Sequence, residues 1–289
     1  MAESLTDRSV VRRLLGELDV RPSKRLGQSF LVDPGVPEAI AEAVGAFGPD
    51  RIVEIGAGLG AVTEAIASLA PEVIALEVDG RLAEHLSRQF SEEPAVSVLH
   101  QDVLEFSLPR SGGRMLVVGS IPYAITAPIL QRLIEQRDAL VGAVLLTQRE
   151  VAERVEQSPG RGGSSLGVLV RAYADVERIR RVSRGCFYPR PDVDSLLWSM
   201  RFLDAARFKA GAEPFFSLVR AIYGARRKML RGALRSLGDV ETVSRALAEV
   251  GIDGTVRGET LGFEELDRLA RALEVAGLRG EARESPVQN

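Results

Sequence analysis

The chain has 289 residues, of which 45% are hydrophobic, so it can bury a sizeable core in one large domain with a smaller one attached. The net charge of −3, taken alone, argues mildly against a nucleic-acid partner, and the single cysteine excludes an internal disulfide. Because there is no signal-peptide pattern and no run of about 18 apolar residues, we expect a soluble cytoplasmic protein without membrane contact.

Strands and helices alternate along most of the chain. The first segment, VVRRLLGELDV, has helical spacing, and PGVPEAIAEAVGAF predicts a helix that begins after a proline. Five apolar strand segments follow, in order RIVEIG, EVIALEVD, VSVLHQD, MLVVGSIP and GAVLLTQ, with a predicted helix between each pair except the third and fourth. Such alternation predicts a parallel sheet covered by helices on both faces. Two later segments, LGVLVRAYADVERIRRV and DSLLWSMRFL, add strands that need not be parallel.

The pattern changes near residue 205. Three helix-like segments, PFFSLVRAIYGARRKMLRGALRSL, DVETVSRALAEVG and FEELDRLARALEVAG, carry apolar residues every three or four positions. We therefore predict an α/β domain over residues 1–204 and a small all-helical domain over 205–279. The last residues, 280–289, have the composition of a disordered tail.

Basic residues are segregated along the sequence. Five arginines and no acidic residue occur from Arg178 to Arg190, and six basic residues and no acidic one occur from Arg220 to Arg235. A segregated basic surface on an acidic protein can bind phosphates. Solvated arginine-rich faces explain the same pattern equally well, so charge alone does not decide between the two interpretations.

Three successive strands end in residues that suit an adenosine-type ligand. Gly56, Gly58 and Gly60 follow the first strand, where glycine lets the backbone approach a ligand closely. Glu77, 21 residues after Gly56, can accept hydrogen bonds from ribose hydroxyls, and Asp102 after the third strand can accept from an adenine amino group. Strand ends of this kind line a crevice at one sheet edge, and NAD and S-adenosylmethionine both remain candidates for it.

The fourth strand ends in the stretch GSIPYAIT. Adenine's exocyclic amine is a poor nucleophile, because its lone pair is delocalised into the ring. An acceptor at Ser120 and a backbone carbonyl at position 121 or 122 can bind both amino protons and aim the lone pair at a methyl sulfonium. Pro122 would rigidify the turn and Tyr123 could stack on the base. In isolation, an ordinary turn with a packed tyrosine explains this stretch equally well.

Nothing in the sequence predicts a metal site. The two histidines, His85 and His100, are far from each other and from the cysteine in sequence. This spacing argues against a zinc site. No histidine lies in a plausible catalytic motif, and methylation of an amine tolerates this because the sulfonium is a strong electrophile and the proton can leave to water afterwards.

Several segments occur in the order found in ribosomal RNA adenine N6-dimethyltransferases. They are KRLGQSFLVD, EIGAGLGAVTEAI, ALEVD, HQDVLEF, SIPYAITAPIL, LLTQREVAERV, CFYPRPDVDS and ARRKMLRGAL. From about Arg12 to Leu273 the chain resembles this family, and its helical tail is more similar to the KsgA/RsmA-type small-subunit enzymes than to antibiotic-resistance methylases of large-subunit RNA. The resemblance implies a Rossmann-like class I methyltransferase sheet, S-adenosylmethionine as cofactor and an N-terminal lid.

The implied reaction is N6-dimethylation of two adjacent adenines in the 3′-terminal hairpin loop of small-subunit ribosomal RNA. It would take place on the immature small subunit during ribosome assembly, and the enzyme would act as a monomer. Loop adenines suit such a reaction, because they are accessible and cost little to extrude.

The resemblance also implies roles for individual residues. The target adenine would be contacted by Ser120, Pro122, Tyr123 and Phe187, the last as a second aromatic face. The cofactor would be bound by Gln28, Ser29, Leu31, Gly56, Gly58, Glu77, Val78, Asp102, Val103 and Ser120. RNA phosphates would be met by Arg184, Arg190, Arg226, Arg227, Lys228 and Arg231. The alternatives are a core aromatic at Phe187 and a solvated helix face for the basic residues.

Ser120 departs from the family pattern, which usually has asparagine at this position. Ser29 stands where the family often has asparagine or histidine, and Ala124 stands where asparagine is common. Serine accepts a hydrogen bond but is shorter than asparagine. Two alternative functions therefore stay open: a large-subunit ribosomal RNA methylase that confers antibiotic resistance, and a catalytically weakened assembly or RNA-binding factor. The second is opposed by five intact residues, Gly56, Glu77, Asp102, Pro122 and Tyr123.

Overall fold

The computed structural model describes residues 3–23, 25–108, 113–122 and 125–276. The described chain forms two compact units. The first comprises Met1–Glu153 with Ala174–Leu203, and the second comprises Arg154–Tyr173 with the residues from Asp204 on. The sequence interpretation placed residues 154–173 in the first domain, whereas their side chains contribute to the core of the second unit. The predicted tail, residues 280–289, lies outside the described residues.

A seven-stranded sheet organises the first unit. Its strands are β2 (Arg51–Ile55), β3 (Glu72–Glu77), β4 (Val96–His100), β5 (Met115–Ser120), β6 (Leu140–Gln148), β7 (Ala174–Val182) and β9 (Ser195–Phe202). Their spatial order is β4-β3-β2-β5-β6-β9-β7; the pairs from β4 to β6 are parallel, and β9 pairs antiparallel with β6 and β7. The predicted Rossmann-like sheet with late, non-parallel strands is thus confirmed. A separate antiparallel pair joins β1 (Phe30–Leu31) to β8 (Phe187–Tyr188).

Eleven helices are found within the described residues. They are α1 (Arg8–Glu17), α2 (Gly35–Gly45), α3 (Ala61–Ile66), α4 (Gly80–Gln89), α5 (Thr126–Glu135), α6 (Arg149–Glu156), α7 (Ser165–Tyr173), α8 (Ala212–Gly224), α9 (Leu230–Ala233), α10 (Val240–Glu249) and α11 (Phe263–Val275). Aspartates cap three of them: Asp7 accepts from backbone amides of α1, Asp79 from α4 and Asp239 from α10. Over the described residues, no helix is both long enough and apolar enough to cross a bilayer.

The core of the first unit joins the sheet to α2 and α3. Ile52, Val118 and Val144 from the sheet pack with Ile40 of α2 and Ile66 of α3, and all five are at most 1% exposed. Because β2, β5 and β6 are buried almost throughout, they read in sequence as continuous apolar runs. This packing holds the carboxyl ends of the parallel strands along one edge.

The segment LGVLVRAY was predicted as the start of a strand, and this prediction was wrong. It forms α7, with Val168 and Ala172 in the core of the second unit, and β7 begins only at Ala174. The Ser164 hydroxyl accepts from the Gly167 amide at 2.9 Å and so satisfies an amide of the first turn. A short apolar run has no periodicity that separates a buried helix from a buried strand.

The long helix predicted across PFFSLVRAIYGARRKMLRGALRSL is also interrupted. Helix α8 ends at Gly224, a turn follows, and α9 starts at Leu230. Glycine has low helix propensity, and residues 227–229 are exposed and offer no core-facing side chain to continue the apolar face.

Asp267 of α11 provides a test of how the second unit is held together. Its side chain is buried and accepts hydrogen bonds from the amides of Lys209 and Ala210 at 2.6 and 2.8 Å. We expect Asp267→Ala to lower the free energy of unfolding by about 2–4 kcal/mol, because two amides lose their partner. Asp267→Asn keeps an acceptor oxygen and should recover at least half of that loss in urea denaturation.

Asp253 is the matched control for this substitution. It is exposed and accepts from the Thr255 amide at 2.8 Å, so we expect Asp253→Ala to cost under about 1 kcal/mol. Equal losses for the two alanine variants would contradict the role assigned to Asp267.

Candidate active site

A cavity of about 440 Å³ opens at the carboxyl edge of the parallel strands. Its wall combines the segment before β1, the loop after β2, and the ends of β3 and β5 with residues 187–192. The lining residues are Leu26, Gly27, Gln28, Ser29, Phe30, Gly56, Gly58, Glu77, Val78, Leu82, Ser120, Ile121, Pro122, Leu146, Phe187, Pro189, Arg190, Pro191, Asp192 and Ser195. All of them belong to the first unit. Of the three strand ends predicted to line one crevice, those after β2 and at β3 do so, together with the end of β5.

The loop after β2 requires its glycines. Gly56, Gly58 and Gly60 have φ values of +70°, +63° and +88°, which side chains rarely adopt. A Cβ on Gly60 would also lie 2.9 Å from the Phe90 ring. The loop thus turns tightly into α3 and exposes backbone toward the cavity.

Glu77 lies at the end of β3, on the cavity wall, and is 5% exposed. Its Oε2 accepts from the Gly58 amide at 2.8 Å and its Oε1 from the Asp79 amide at 2.9 Å. Burial raises the pKa of this carboxyl, and the hydrogen bonds from the two amides oppose that shift. Since each carboxylate oxygen has two lone pairs, Glu77 can still accept from a diol in the cavity.

Glu54 is a buried acid that the sequence interpretation did not identify. It is 2% exposed, and it lines a smaller recess beside the cavity, together with Ser29, Gly56 and Ser120. Its Oε2 accepts from the Thr63 hydroxyl at 2.6 Å. Burial raises the pKa of Glu54 from 4.5 to about 7, the Thr63 hydrogen bond opposes the shift and the nearby Glu77 adds to it. The available signal was a carboxylate within the run IVEI, whose other residues are apolar.

Ser120 and Pro122 stand where β5 leaves the sheet. Ser120 pairs with Leu146 in β6 and lines both the cavity and the recess. The Pro122 carbonyl accepts from the Ile125 amide at 3.1 Å and from the Thr126 hydroxyl at 3.2 Å. Because both lone pairs of that oxygen are used, the Ile121 carbonyl is the better acceptor for a second amino proton. Tyr123, predicted to stack on the base, lies outside the described residues.

Two of the predicted lid residues, Gln28 and Ser29, are held by hydrogen bonds to neighbouring segments. The Gln28 amide group donates to Asp79 at 3.1 Å, and its oxygen accepts from the Ser23 amide at 2.9 Å. The Ser29 hydroxyl donates to the Pro189 carbonyl at 2.5 Å. Gln28 and Ser29 line the cavity, whereas Leu31 lies in the hydrophobic core and borders only the smaller recess.

Phe187 serves packing as well as the cavity wall. It is 2% exposed, belongs to the core of the first unit and pairs with Leu31 across the β1–β8 ribbon. It also lines the cavity. The two interpretations of this aromatic are therefore compatible, and its contact with a base stays a prediction.

Among the residues described, Asp102 and Val103 do not appear on the cavity wall, whereas the exposed Val78 does. Asp102 accepts from the Leu104 amide at 2.8 Å and so stabilises the turn after β4. Val103 borders a small apolar space with Val53 and Phe106. Contacts of Asp102 and Val103 with the cofactor stay predictions.

The predicted RNA-binding residues fall in both units. In the first, Arg190 lines the cavity and Arg184 is exposed nearby in sequence. In the second, Arg226 donates to the Gly163 carbonyl and lies 5.2 Å from the Tyr223 ring centre. The remaining three are exposed: Arg227, Lys228 and Arg231.

These features define an S-adenosylmethionine-dependent methyltransferase of class I, in which the glycine loop and Glu77 fit the methyl donor and Ser120 borders the same cavity. Residues 20–273 match the family described as ribosomal RNA adenine dimethylase. The chain belongs to this family, and it is an enzyme that methylates adenine in ribosomal RNA. The predicted family, fold class, enzyme class and cofactor are thereby confirmed.

Similar proteins cover nearly the whole chain. "Ribosomal RNA small subunit methyltransferase A" of Geobacter metallireducens is 38% identical over 268 residues, which is 89% of this chain and 98% of that protein. The protein of the same name from Clostridium botulinum (strain Loch Maree) is 35% identical, over 91% of this chain and 98% of its own.

Two solved structures share the fold. A dimethyladenosine transferase from Plasmodium falciparum has a TM-score of 0.77 at 22% identity and covers 86% of this chain and 99% of its own. The 23S rRNA methyltransferase ErmE has a TM-score of 0.69 at 27% identity and covers 85% of this chain and 99% of its own.

Proposed function

We propose that the protein transfers two methyl groups to N6 of each of two adjacent adenines in the 3′-terminal hairpin loop of small-subunit ribosomal RNA. The observation that carries the chemistry is the shared cavity, where Gly56 and Glu77 lie on one wall with Ser120 and Pro122. The choice of the small subunit is supported by two relatives that are named for it. The chain aligns with 98% of the length of each of these relatives. We propose a cytoplasmic monomer that acts on the immature subunit.

On the cofactor side, S-adenosylmethionine supplies an electrophilic methyl group on its sulfonium when bound. Glu77 accepts from the ribose hydroxyls, and the positive-φ loop at Gly56 and Gly58 lets the backbone approach the cofactor closely. Glu54 faces the recess beside Gly56 and Ser120, where it can accept from an ammonium group. Such a group would hold the Glu54 carboxyl in its ionised form.

On the base side, the Ser120 hydroxyl accepts one amino proton of the adenine and the Ile121 carbonyl accepts the other. These two hydrogen bonds draw the amine toward tetrahedral geometry and direct its lone pair at the methyl group. Phe187 provides an apolar wall for the base. The transfer would form the N6–methyl bond as the bond from sulfur to the methyl group breaks, with S-adenosylhomocysteine as the leaving group, and the surplus proton on N6 would then leave to water.

The experiment that tests this function uses labelled S-adenosylmethionine. The protein is incubated with undermethylated small subunits or with large-subunit RNA, and the modified bases are mapped. Label at two adjacent adenines of the small-subunit hairpin is the expected result. Label only in large-subunit RNA would support the resistance-methylase alternative, which the similarity to ErmE keeps in view. Cofactor binding without label in either RNA would support the non-enzymatic assembly factor.

Ser120 allows a sharper test of the base side. Ser120→Ala removes an acceptor for the amino proton, so we expect single-turnover methyl transfer to slow by about 10- to 100-fold. Ser120→Asn should raise the rate, because the amide oxygen reaches further than the hydroxyl. The exposed Ser97 of β4 is the control, and Ser97→Ala should transfer methyl groups at the wild-type rate. A wild-type rate for Ser120→Ala would contradict the assigned role, and a slower Ser120→Asn would show that the cavity fits serine.

A further inference from the structure

Two arginines of α1 lie against the segment that leads to the cavity wall. Arg8 Nη2 donates to the Gly185 carbonyl at 3.2 Å. The guanidinium carbon of Arg12 lies 5.9 Å from the centre of the Tyr188 ring. Both arginines are exposed, and residues four apart share one face of a helix. Helix α1 thus places two guanidinium groups along residues 185–188.

The same segment contributes two further arginines. Arg184 is exposed, and its Nη1 donates to the Asp192 carbonyl at 3.1 Å. Arg190 follows Tyr188 by two residues and lines the cavity itself. Four arginines from two distant parts of the chain thus belong to, or lie against, the segment 184–190, which reaches the cavity wall, and we refer to them as the arginine row: Arg8, Arg12, Arg184 and Arg190.

Neutral partners hold this row in place. Arg8 and Arg184 donate to backbone carbonyls and Arg12 lies over an aromatic ring. Within the described ranges, no carboxylate forms an ion pair with these three guanidinium groups. Their neighbour Arg13 differs, because it pairs with Glu17 at 2.9 Å and also with Glu3. These three guanidinium groups are thus positioned while their positive charge stays available to a ligand.

We propose that the arginine row binds the phosphates of the RNA nucleotides that flank the adenine in the cavity, an inference that rests on the proposed function. Guanidinium groups match phosphate oxygens in a bidentate geometry. RNA fits better than an acidic protein surface, because the segment 184–190 reaches the cavity that receives a base, and phosphates flank every base of a strand. In loop RNA the base can be splayed out while its flanking phosphates remain on the surface.

The test is the salt dependence of RNA binding. The Kd for methylation-deficient small subunits is measured from low to high salt for the wild type and for Arg8→Gln/Arg12→Gln, with S-adenosylhomocysteine present. Each lost phosphate contact lowers the slope of log K against log salt by about 0.7 for single-stranded nucleic acid, so we expect the double variant to lose about 1.4. Arg8→Lys/Arg12→Lys retains both charges and should keep the slope within about 0.5 of the wild type.

Arg13→Gln on the same helix is the control, since it removes one positive charge from a residue that is already paired, against two charges in the glutamine double variant. Its slope should equal that of the wild type. An unchanged slope in the glutamine double variant, or a weaker Kd without a change of slope, would overturn the proposal. Methyl transfer by the wild type is measured on the same subunits: normal transfer with an unchanged slope refutes the arginine row alone, whereas no transfer refutes the proposed function as well.

Discussion

Glu77→Ala is expected to weaken S-adenosylmethionine binding by at least about 100-fold, as measured by isothermal titration calorimetry. Hydrogen bonds to a charged acceptor are each worth about 1.5–3 kcal/mol, and the proposed ribose contact uses two of them. The same substitution leaves the Gly58 and Asp79 amides without their partner, so the free energy of unfolding should fall by about 2–5 kcal/mol.

Glu77→Gln separates the two effects. The glutamine oxygen can still accept from one of the amides, so more of the stability should be retained, while the uncharged group should still bind the ribose poorly. Glu72, at the start of the same strand, is partly exposed and pairs with Arg51, which makes Glu72→Gln a suitable control with unchanged cofactor affinity. Wild-type affinity in either Glu77 variant would remove this residue from the cofactor site.

Glu54 should make the stability of the wild type depend on pH, and Glu54→Gln should remove that dependence. The pKa of Glu54 is about 7 in the folded protein, against an ordinary value of 4.5. The folded state therefore binds the proton more tightly, and the stability of the wild type falls as the pH rises through this range. Between pH 5 and pH 8 the loss from this group is about 2–3 kcal/mol.

The glutamine variant lacks this titration and can still accept from the Thr63 hydroxyl. Its stability relative to the wild type, measured by urea denaturation, should therefore rise by about 2–3 kcal/mol from pH 5 to pH 8. Glu64→Gln on the exposed face of α3 should show no such trend. A difference between Glu54→Gln and wild type that stays constant with pH would mean that Glu54 is ionised in the folded protein at both values.

The strand ends were predictable because their signals are local. Glycines at Gly56, Gly58 and Gly60 mark a backbone conformation that other residues rarely adopt, and an acid such as Glu77 directly after an apolar run marks the end of a strand. Parallel-sheet topology then brings these ends to one edge, where the structure also places Ser120.

Other features depend on tertiary contacts that no local pattern reveals. The burial of Glu54 depends on β2 being covered on both faces, and the recess beside it forms only when Ser29 and Ser120 come together. Residues 166–173 become helix rather than strand because they pack with helices from Ala212 onward. Asp102 accepts from the Leu104 amide within its own loop, a contact that the strand-end pattern does not reveal.

The β1–β8 ribbon links the cofactor side of the cavity to the side proposed to receive the base. Phe30 and Leu31 follow the segment on the cofactor side, Phe187 and Tyr188 precede the segment on the base side, and backbone pairing links them. Because the two segments are paired through their backbones, a substitution that shifts Phe30 or Leu31 should also shift Phe187 on the opposite wall. The shape of the cavity on one side thus depends on residues of the other.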